Sequence, residues 1–245
     1  MYIMDIEKKD KNNSFVTGST AVADVGYTAD RFAARGLNSS FAAAYFPDII
    51  LRDRAGGTSV VPASVGVLGV YGLNDALGFP WFAPAGYTRG VVTHALRSTL
   101  SLAVDDNNAL ASTDVNPIID VVGQGTLVYG QRTLFKAQSA LDRINVRRLL
   151  IDIRRRVKQI ANTILFEPNR EETLARFSSA VDPVLSTIQQ QQGVDRYRVQ
   201  IDATTTTQAD IENNTIRGKI FLQPTKSIDF IELDFVVSNT IDTGA

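Results

Sequence analysis

The chain has 245 residues, enough for one large domain or two small ones with a real core. Its 25 Lys and Arg stand against 26 Asp and Glu, a near-neutral balance that argues against a general nucleic-acid binder. The absence of cysteine excludes disulfides, thiolate metal sites and cysteine nucleophiles, and no apolar run approaches the roughly 18–20 residues of a membrane span.

Residues 1–36 are expected to be irregular. The run EKKDKNN is charged, residues 17–26 are small and weakly patterned, and MYIMDIEKKDKNNS lacks a secretory pattern. This stretch reads as a flexible leader or the remnant of a preceding domain, ahead of a core over residues 37–245. Ser39–Phe46 (SSFAAAYF) predicts a short helix from its serine and alanines, ended by Pro47. Asp48–Arg52 is a strand candidate, and Ala55–Ser59 a turn. Pro62–Ala76 predicts a helix whose glycines demand close packing.

Phe79–Gly90 (FPWFAPAGYTRG) carries too many aromatics to be a linker, so it is expected to be an ordered loop. Val91–Val104 is ambiguous between helix and strand, and Asp105–Ser112 predicts a helical turn. Val115–Val122 and Thr126–Gly130 read as strands around a turn at Gly123–Gly125. After the long block Asp142–Asn169, a second helix is expected to run to about Gln192. It carries Leu174, Phe177, Val181, Leu185 and Ile188 at helical spacing, with an Asn169/Glu172 capping box and a kink at Pro183. The last quarter changes period: Tyr197–Ala203, Thr215–Gln223 and Ile228–Val237 are strand candidates. In the last of these Ile231, Leu233, Phe235 and Val237 alternate with Glu232 and Asp234, the pattern of a half-buried strand. The elements together predict an α+β fold, a mixed or antiparallel sheet flanked by several helices.

Few residues carry recognisable chemistry. His94 has neither a triad context nor a second imidazole, so a structural or surface role is the plainer reading. Asp105–Asn108 lacks the spacing of a calcium loop and reads as a helix cap. Gly123-Gln-Gly125 lacks the third glycine of a nucleotide site and reads as a tight turn. Glu232 and Asp234 share one strand face, more a solvated face than a hydrolase pair. No catalytic residue, metal or cofactor is expected.

The long block DRINVRRLLIDIRRRVKQIANTILFEPN is more telling. Val146, Leu149, Leu150, Ile153, Val157, Ile160 and Ile164 form an apolar stripe. Arg143, Arg147, Arg154 and Lys158 fall on a different face, with Arg148 and Arg155 at its edge. That face holds no carboxylate, and Asp152 lies beyond the edge, so the cations are expected to be unneutralised within the helix. The face is either solvated or docks an acidic partner. An alternative is a soluble module that places helix 143–158 on nucleic acid, against which near-neutral charge counts. A hydrolase with unlocated acids is a third reading, supported by no motif.

Four blocks in order resemble the tail sheath proteins of contractile bacteriophages and related injection machines: Tyr45–Asp53 (YFPDIILRD), Phe79–Gly90, Val115–Thr133 (VNPIIDVVGQGTLVYGQRT) and Asp142–Asn169. Within them Asn116 and Ile118, Tyr129–Thr133, Ile144–Arg148 and Phe166–Asn169 stand where the sheath pattern has them. The resemblance spans roughly residues 40–238 and implies a structural subunit of the virion, not an enzyme. Copies would polymerise around an inner tail tube and contract to drive it through a host envelope, after assembly in the host cytoplasm. The matched region would be the tube-facing C-terminal part. Implied partners are other copies, the tube protein, and baseplate and tail terminator proteins, with no membrane. On this view Arg143, Arg147, Arg148, Arg154, Arg155 and Lys158 would dock an acidic tube. Ile231, Leu233, Phe235 and Val237 would lie on an inter-subunit strand. Sheath subunits are generally longer ahead of the matched region, so this chain would be a fragment or a short homologue.

Overall fold

Ala42–Phe46 (AAAYF), all five residues buried, is the strand on which the fold is organised. The computed structural model describes every residue except 11, 13, 15–23, 54, 55, 169, 202, 203, 208, 209, 211, 214 and 228–245. With β1 at Tyr2–Asp5, this strand is β2, and it pairs in parallel with β1 on one side and with β6 (Val115–Val121) on the other. The antiparallel strand β7 (Gly125–Val128) completes a mixed sheet in the order β1-β2-β6-β7. The expectation of a helix over Ser39–Phe46 is therefore corrected. Alanine's helix propensity is worth a few tenths of a kcal/mol per residue, ~0 to 0.7 across ordinary residues, and a strand buried on both faces overrides it. Its side chains alternate between two cores rather than between core and water. Ala42, Ala44 and Phe46 enter one, and Ala43 and Tyr45 the other.

The first core is closed by α1 (Val25–Ala33), through Val25, Ala29 and Phe32, and by Leu110 of α4 (Val104–Ser112). The second is closed by α2 (Ala63–Leu77), through Ala63, Val67 and Val70, and by Ile144 at the start of α5 (Ile144–Asn162). An antiparallel sheet of β3 (Ile49–Arg52), β4 (Thr58–Val61) and β5 (Ala95–Ser98) adds Ile49 to that core. Gly66 of α2 is required there: a Cβ would lie 2.5 Å from the Ile49 side chain. A third core joins α5, α6 (Glu171–Gln190) and the hairpin of β8 (Val194–Gln200) and β9 (Lys219–Pro224). Leu174, Phe177, Val181, Leu185 and Ile188, the stripe expected on α6, are all buried in it.

The α+β class is as expected, and the elements differ from the sequence reading in particular places. Residues 1–36, expected to be irregular, contain β1 and α1, both packed into the sheet system. The alternation of β1 is too short, and α1 too remote from its partners in sequence, for either to announce itself. Helix α5 spans only the middle of the Asp142–Asn169 block: Asp142 ends a 3-10 turn (Ala140–Asp142), and Arg143 is extended. At the other end the Thr163 hydroxyl donates to Ile160 O, and Phe166 takes φ +69°, which a helix cannot absorb. Helix α6 runs through Pro183; its N-cap is Arg170, without a side-chain cap bond, while Asn169 lies outside the described residues. The strand expected over Ile228–Val237 also lies outside them. Val91–Val104 resolves into β5 and the start of α4, and Gly86–Arg89 of the aromatic loop forms a single helical turn, α3.

Candidate docking face on the basic helix

Helix α5 is seated by its own N-terminal connection. Ile144 N donates to Gln131 O at 2.9 Å, and Arg143 bridges Arg132. The segment carrying Gln131 and Arg132 is held by the buried Asn116 side chain. Its Nδ2 donates to Ala44 O at 3.0 Å and to Arg132 O at 2.8 Å, and its Oδ1 accepts from Arg132 N at 2.6 Å. Gly130 is required beside it, because a Cβ would sit 2.8 Å from Asn116 Oδ1. The N-x-I and YGQRT blocks are thus two halves of one clamp that ties β2, β6 and the approach to α5. Along α5, Val146, Leu149 and Ile153 are buried, and Val157, Ile160 and Ile164 pack against the third core.

The six cations do not form one free surface. Arg147 is buried and donates through Nη2 to the Ser40 hydroxyl, with its guanidinium 4.1 Å from the centre of the Phe41 ring. Burial, and less strongly the charge of Arg154, pulls its pKa below the usual guanidinium range. Arg148 turns the other way, donating to both carboxylate oxygens of Asp75 on α2 at 2.6 and 2.7 Å and stacking 4.6 Å from the Tyr71 ring. Arg143 lies 3.7 Å from Asp142. Arg155 pairs with Asp152 at 2.8 Å, and Arg156 with the same carboxylate at 2.7 Å. The expectation that α5 leaves its cations unneutralised is therefore corrected. Asp152 is buried and holds two arginines at i+3 and i+4, and Asp75, distant in sequence, holds a third. Arg154 and Lys158 are exposed and have no hydrogen bond or ion pair among the described residues. Charge reversal at Arg147 would thus strike the fold as well as any docking.

Ser40, Phe41, Asp75 and Tyr71 were not legible from the helix pattern. Ser40 and Phe41 come from the turn ahead of β2, and Tyr71 and Asp75 from α2, and only tertiary packing brings them to α5. The Tyr45 and Tyr71 hydroxyls share a hydrogen bond of 2.8 Å. Burial pushes Tyr71 up to about 12 and raises Tyr45 well above its ordinary value. The folded protein therefore keeps both phenols protonated beyond about pH 10, where an unfolded tyrosine ionises. Stability should be full below that pH and fall as pH rises through the window up to about 12. Urea midpoints at about pH 9 and about pH 11 check this; a fall undiminished in Tyr71→Phe would remove Tyr71 as a cause.

The remaining candidates carry no assembled chemistry. His94 is exposed. Asp105 and Asp106 lie in the first turn of α4, where Asp106 accepts from Ala103 N at 2.9 Å. Gly123 and Gly125, at φ +81° and +86°, form the turn between β6 and β7. Glu232 and Asp234 lie outside the described residues. Among the described residues no three His, Asp or Glu are grouped to hold a metal, and no helix is long and apolar enough to cross a membrane.

Residues 136–238 match the family described as the phage tail sheath C-terminal domain. The tail sheath protein of Vibrio phage KVP40 is 36% identical over 180 residues, 74% of this chain and 27% of that protein. That of Enterobacteria phage T4 is 29% identical over the same shares. Among solved structures, the PVC sheath complex of an extracellular contractile injection system in the contracted state matches with TM-score 0.76 at 26% identity, over 87% of this chain and 60% of that one. The contracted helical sheath of the anti-feeding prophage matches with TM-score 0.71 at 25% identity, over 82% and 57%. The fold is that of contractile sheath subunits. The chain is similar to tail sheath proteins over about three quarters of its length and spans about a quarter of the length of the curated relatives it matches.

Proposed function

We propose that this chain is part of a structural, non-enzymatic subunit of a contractile tail sheath. Copies polymerise around an inner tube and contract to drive it through a host envelope. The observation that carries this reading is the agreement of most of the chain, in three dimensions, with a helical sheath in its contracted state. Other copies are the first partner, the tube the second, and baseplate and tail terminator proteins meet the ends of the array. The subunit works in the virion and assembles in the host cytoplasm. In negative-stain electron microscopy at high protein concentration, beside light scattering for mass, striated tubes or rings are expected. A chain that remains monomeric at every concentration and in the presence of tube would count against it.

The tube-facing surface in this reading is the basic face of α5, now reduced to its free members. Arg154 and Lys158 supply attraction, and a salt-sensitive contact of this kind can be separated as the sheath slides. Ile231, Leu233, Phe235 and Val237 remain proposed for a strand shared between copies. Arg154→Glu with Lys158→Glu should leave the melting temperature within a degree or two, as exposed substitutions do, and weaken co-sedimentation with tubes by roughly tenfold at low salt. Unchanged co-sedimentation would defeat the docking assignment. Nothing favours nucleic acid as the partner: four of the six cations are already held by other groups of the chain.

A further inference from the structure

Helix α5 begins without a cap of its own. Its N-cap Arg143 makes no side-chain cap bond, and its first turn holds no acid. Ile144 N is met by Gln131 O, but the amides of Asn145 and Val146 meet no carbonyl among the described residues. Both residues are buried, at 6% and 5% exposure, so water is a poor substitute. The Asn145 side chain adds to the deficit, its Oδ1 being buried without a hydrogen-bond partner among the described residues. The other long helices are provided for. Asp24 caps α1, α4 carries Asp105 and Asp106 in its first turn, and α6 carries Glu171 and Glu172. Helix α2, whose N-cap Pro62 has no capping side chain, is served from a distance: Asp5 of β1 accepts from Ser64 N and from Ser64 Oγ, each at 2.7 Å. This fold thus caps one helix with a carboxylate from a remote segment.

The uncapped end of α5 opens on a groove of about 870 Å³. Ala140, Asn145 and Val146 line it from the helix side, and Leu222 and Pro224 from β9. Ser227 lines it too, and its hydroxyl accepts from Gln131 Nε2 at 2.6 Å, on the residue whose carbonyl seats Ile144. The described chain therefore stops in the groove, beside the helix start, and continues as Ile228-Asp229-Phe230. Asp229 lies two residues on, within ~7 Å of chain from Ser227. In an extended segment Ile228 and Phe230 point to one side and Asp229 to the other. The acids already at the groove are engaged: Asp195 accepts from Thr225 Oγ1 at 2.7 Å, and Asp142 lies 3.7 Å from Arg143.

We propose that Asp229 caps α5 within its own chain, accepting from the amides of Asn145 and Val146, while Ile228 and Phe230 cover Leu222 and Pro224. The Asn145 side chain bonds the main chain of the same segment. An acid at this end of the helix also meets the positive end of its dipole. The groove thereby anchors the chain just ahead of Ile231, Leu233, Phe235 and Val237, and fixes where that strand leaves its own subunit. This last consequence rests on the strand proposed between copies; the cap does not.

Hydrogen–deuterium exchange of the full chain, read by mass spectrometry with residue resolution, tests the cap. The Asn145 and Val146 amides should be protected, and equally so at low and high protein concentration. Asp229→Ala should speed their exchange roughly fivefold, whereas Asp229→Asn, which retains a capping acceptor, should change it less than about twofold. Glu232→Ala and Asp234→Ala should leave it unchanged. Unaltered protection at Val181 and Leu185, in the core of α6, shows that each variant is folded. The cap is overturned if the two amides are unprotected in the parent chain, if Asp229→Ala leaves them unchanged, or if Glu232→Ala speeds them equally. Protection that rises with concentration would place the acid on a second copy and overturn the cap within the chain. Assembly separates the cap from its consequence. If Asp229→Ala loses protection yet forms tubes or rings as readily as the parent, the cap stands and its role in placing the strand fails.

Discussion

Asn116→Ala should cost about 3–5 kcal/mol of folding stability, far more than a surface polar substitution. The side chain is 1% exposed and makes three hydrogen bonds, all to main-chain groups. Truncation leaves Arg132 N without its side-chain acceptor and takes one donor from each of the Ala44 and Arg132 carbonyls. Each buried unpaired group costs ~1–3 kcal/mol. The loss is not only local, because the held segment passes directly into α5 through the bond from Ile144 N to Gln131 O. Asn116→Asp should be at least as damaging, since the carboxylate oxygen in place of Nδ2 would face both the Ala44 and the Arg132 carbonyl oxygens. Urea unfolding followed by the single tryptophan reads both variants. A loss below about 1 kcal/mol would show that water substitutes for the side chain, and the clamp would be set aside.

Trp81→Ala should cost a comparable ~3–5 kcal/mol, the range for removing a large buried aromatic. Trp81 is 4% exposed, stacks on Phe79 with ring centres 4.8 Å apart and planes 8° apart, and donates through Nε1 to Gln191 O at 3.0 Å. The last contact fastens the aromatic loop to the C-terminal end of α6. Gly193 completes the joint, because a Cβ there would lie 2.7 Å from Ile188 and 3.1 Å from Trp81 Nε1. Trp81→Phe retains a stacked ring and loses the hydrogen bond, so its cost should be nearer 1–2 kcal/mol. Circular dichroism during urea unfolding can follow both variants, which lack the fluorophore. Equal losses in the two would mean that the hydrogen bond, not ring burial, holds the joint. Because α6 packs against α5, the same substitution should also loosen α5.

What could be read from the sequence were the features carried by local period and local chemistry. The stripes of α5 and α6, the glycine turn between β6 and β7, the cap of α4 and the order of the four sheath-like blocks all depend on residues within a few turns of each other. The aromatic loop could be judged ordered from its composition, although its partner, the end of α6, could not be named.

The failures share one cause. Ala42–Phe46 is a strand because β1 and β6 flank it and two cores receive its side chains, and neither neighbour is visible in AAAYF. Residues 1–36 gain β1 and α1 for the same reason. On α5 the order of residues is enough to say which of them share a face, because helical geometry is periodic. Which of those cations stay free depends on the packing around the helix. Asp75 arrives from α2 to hold Arg148, Ser40 and Phe41 arrive beside β2 to enclose Arg147, and Arg154 and Lys158 are left to solvent. Charge on a helix is a local property, whereas its neutralisation depends on groups that meet only when the chain has folded.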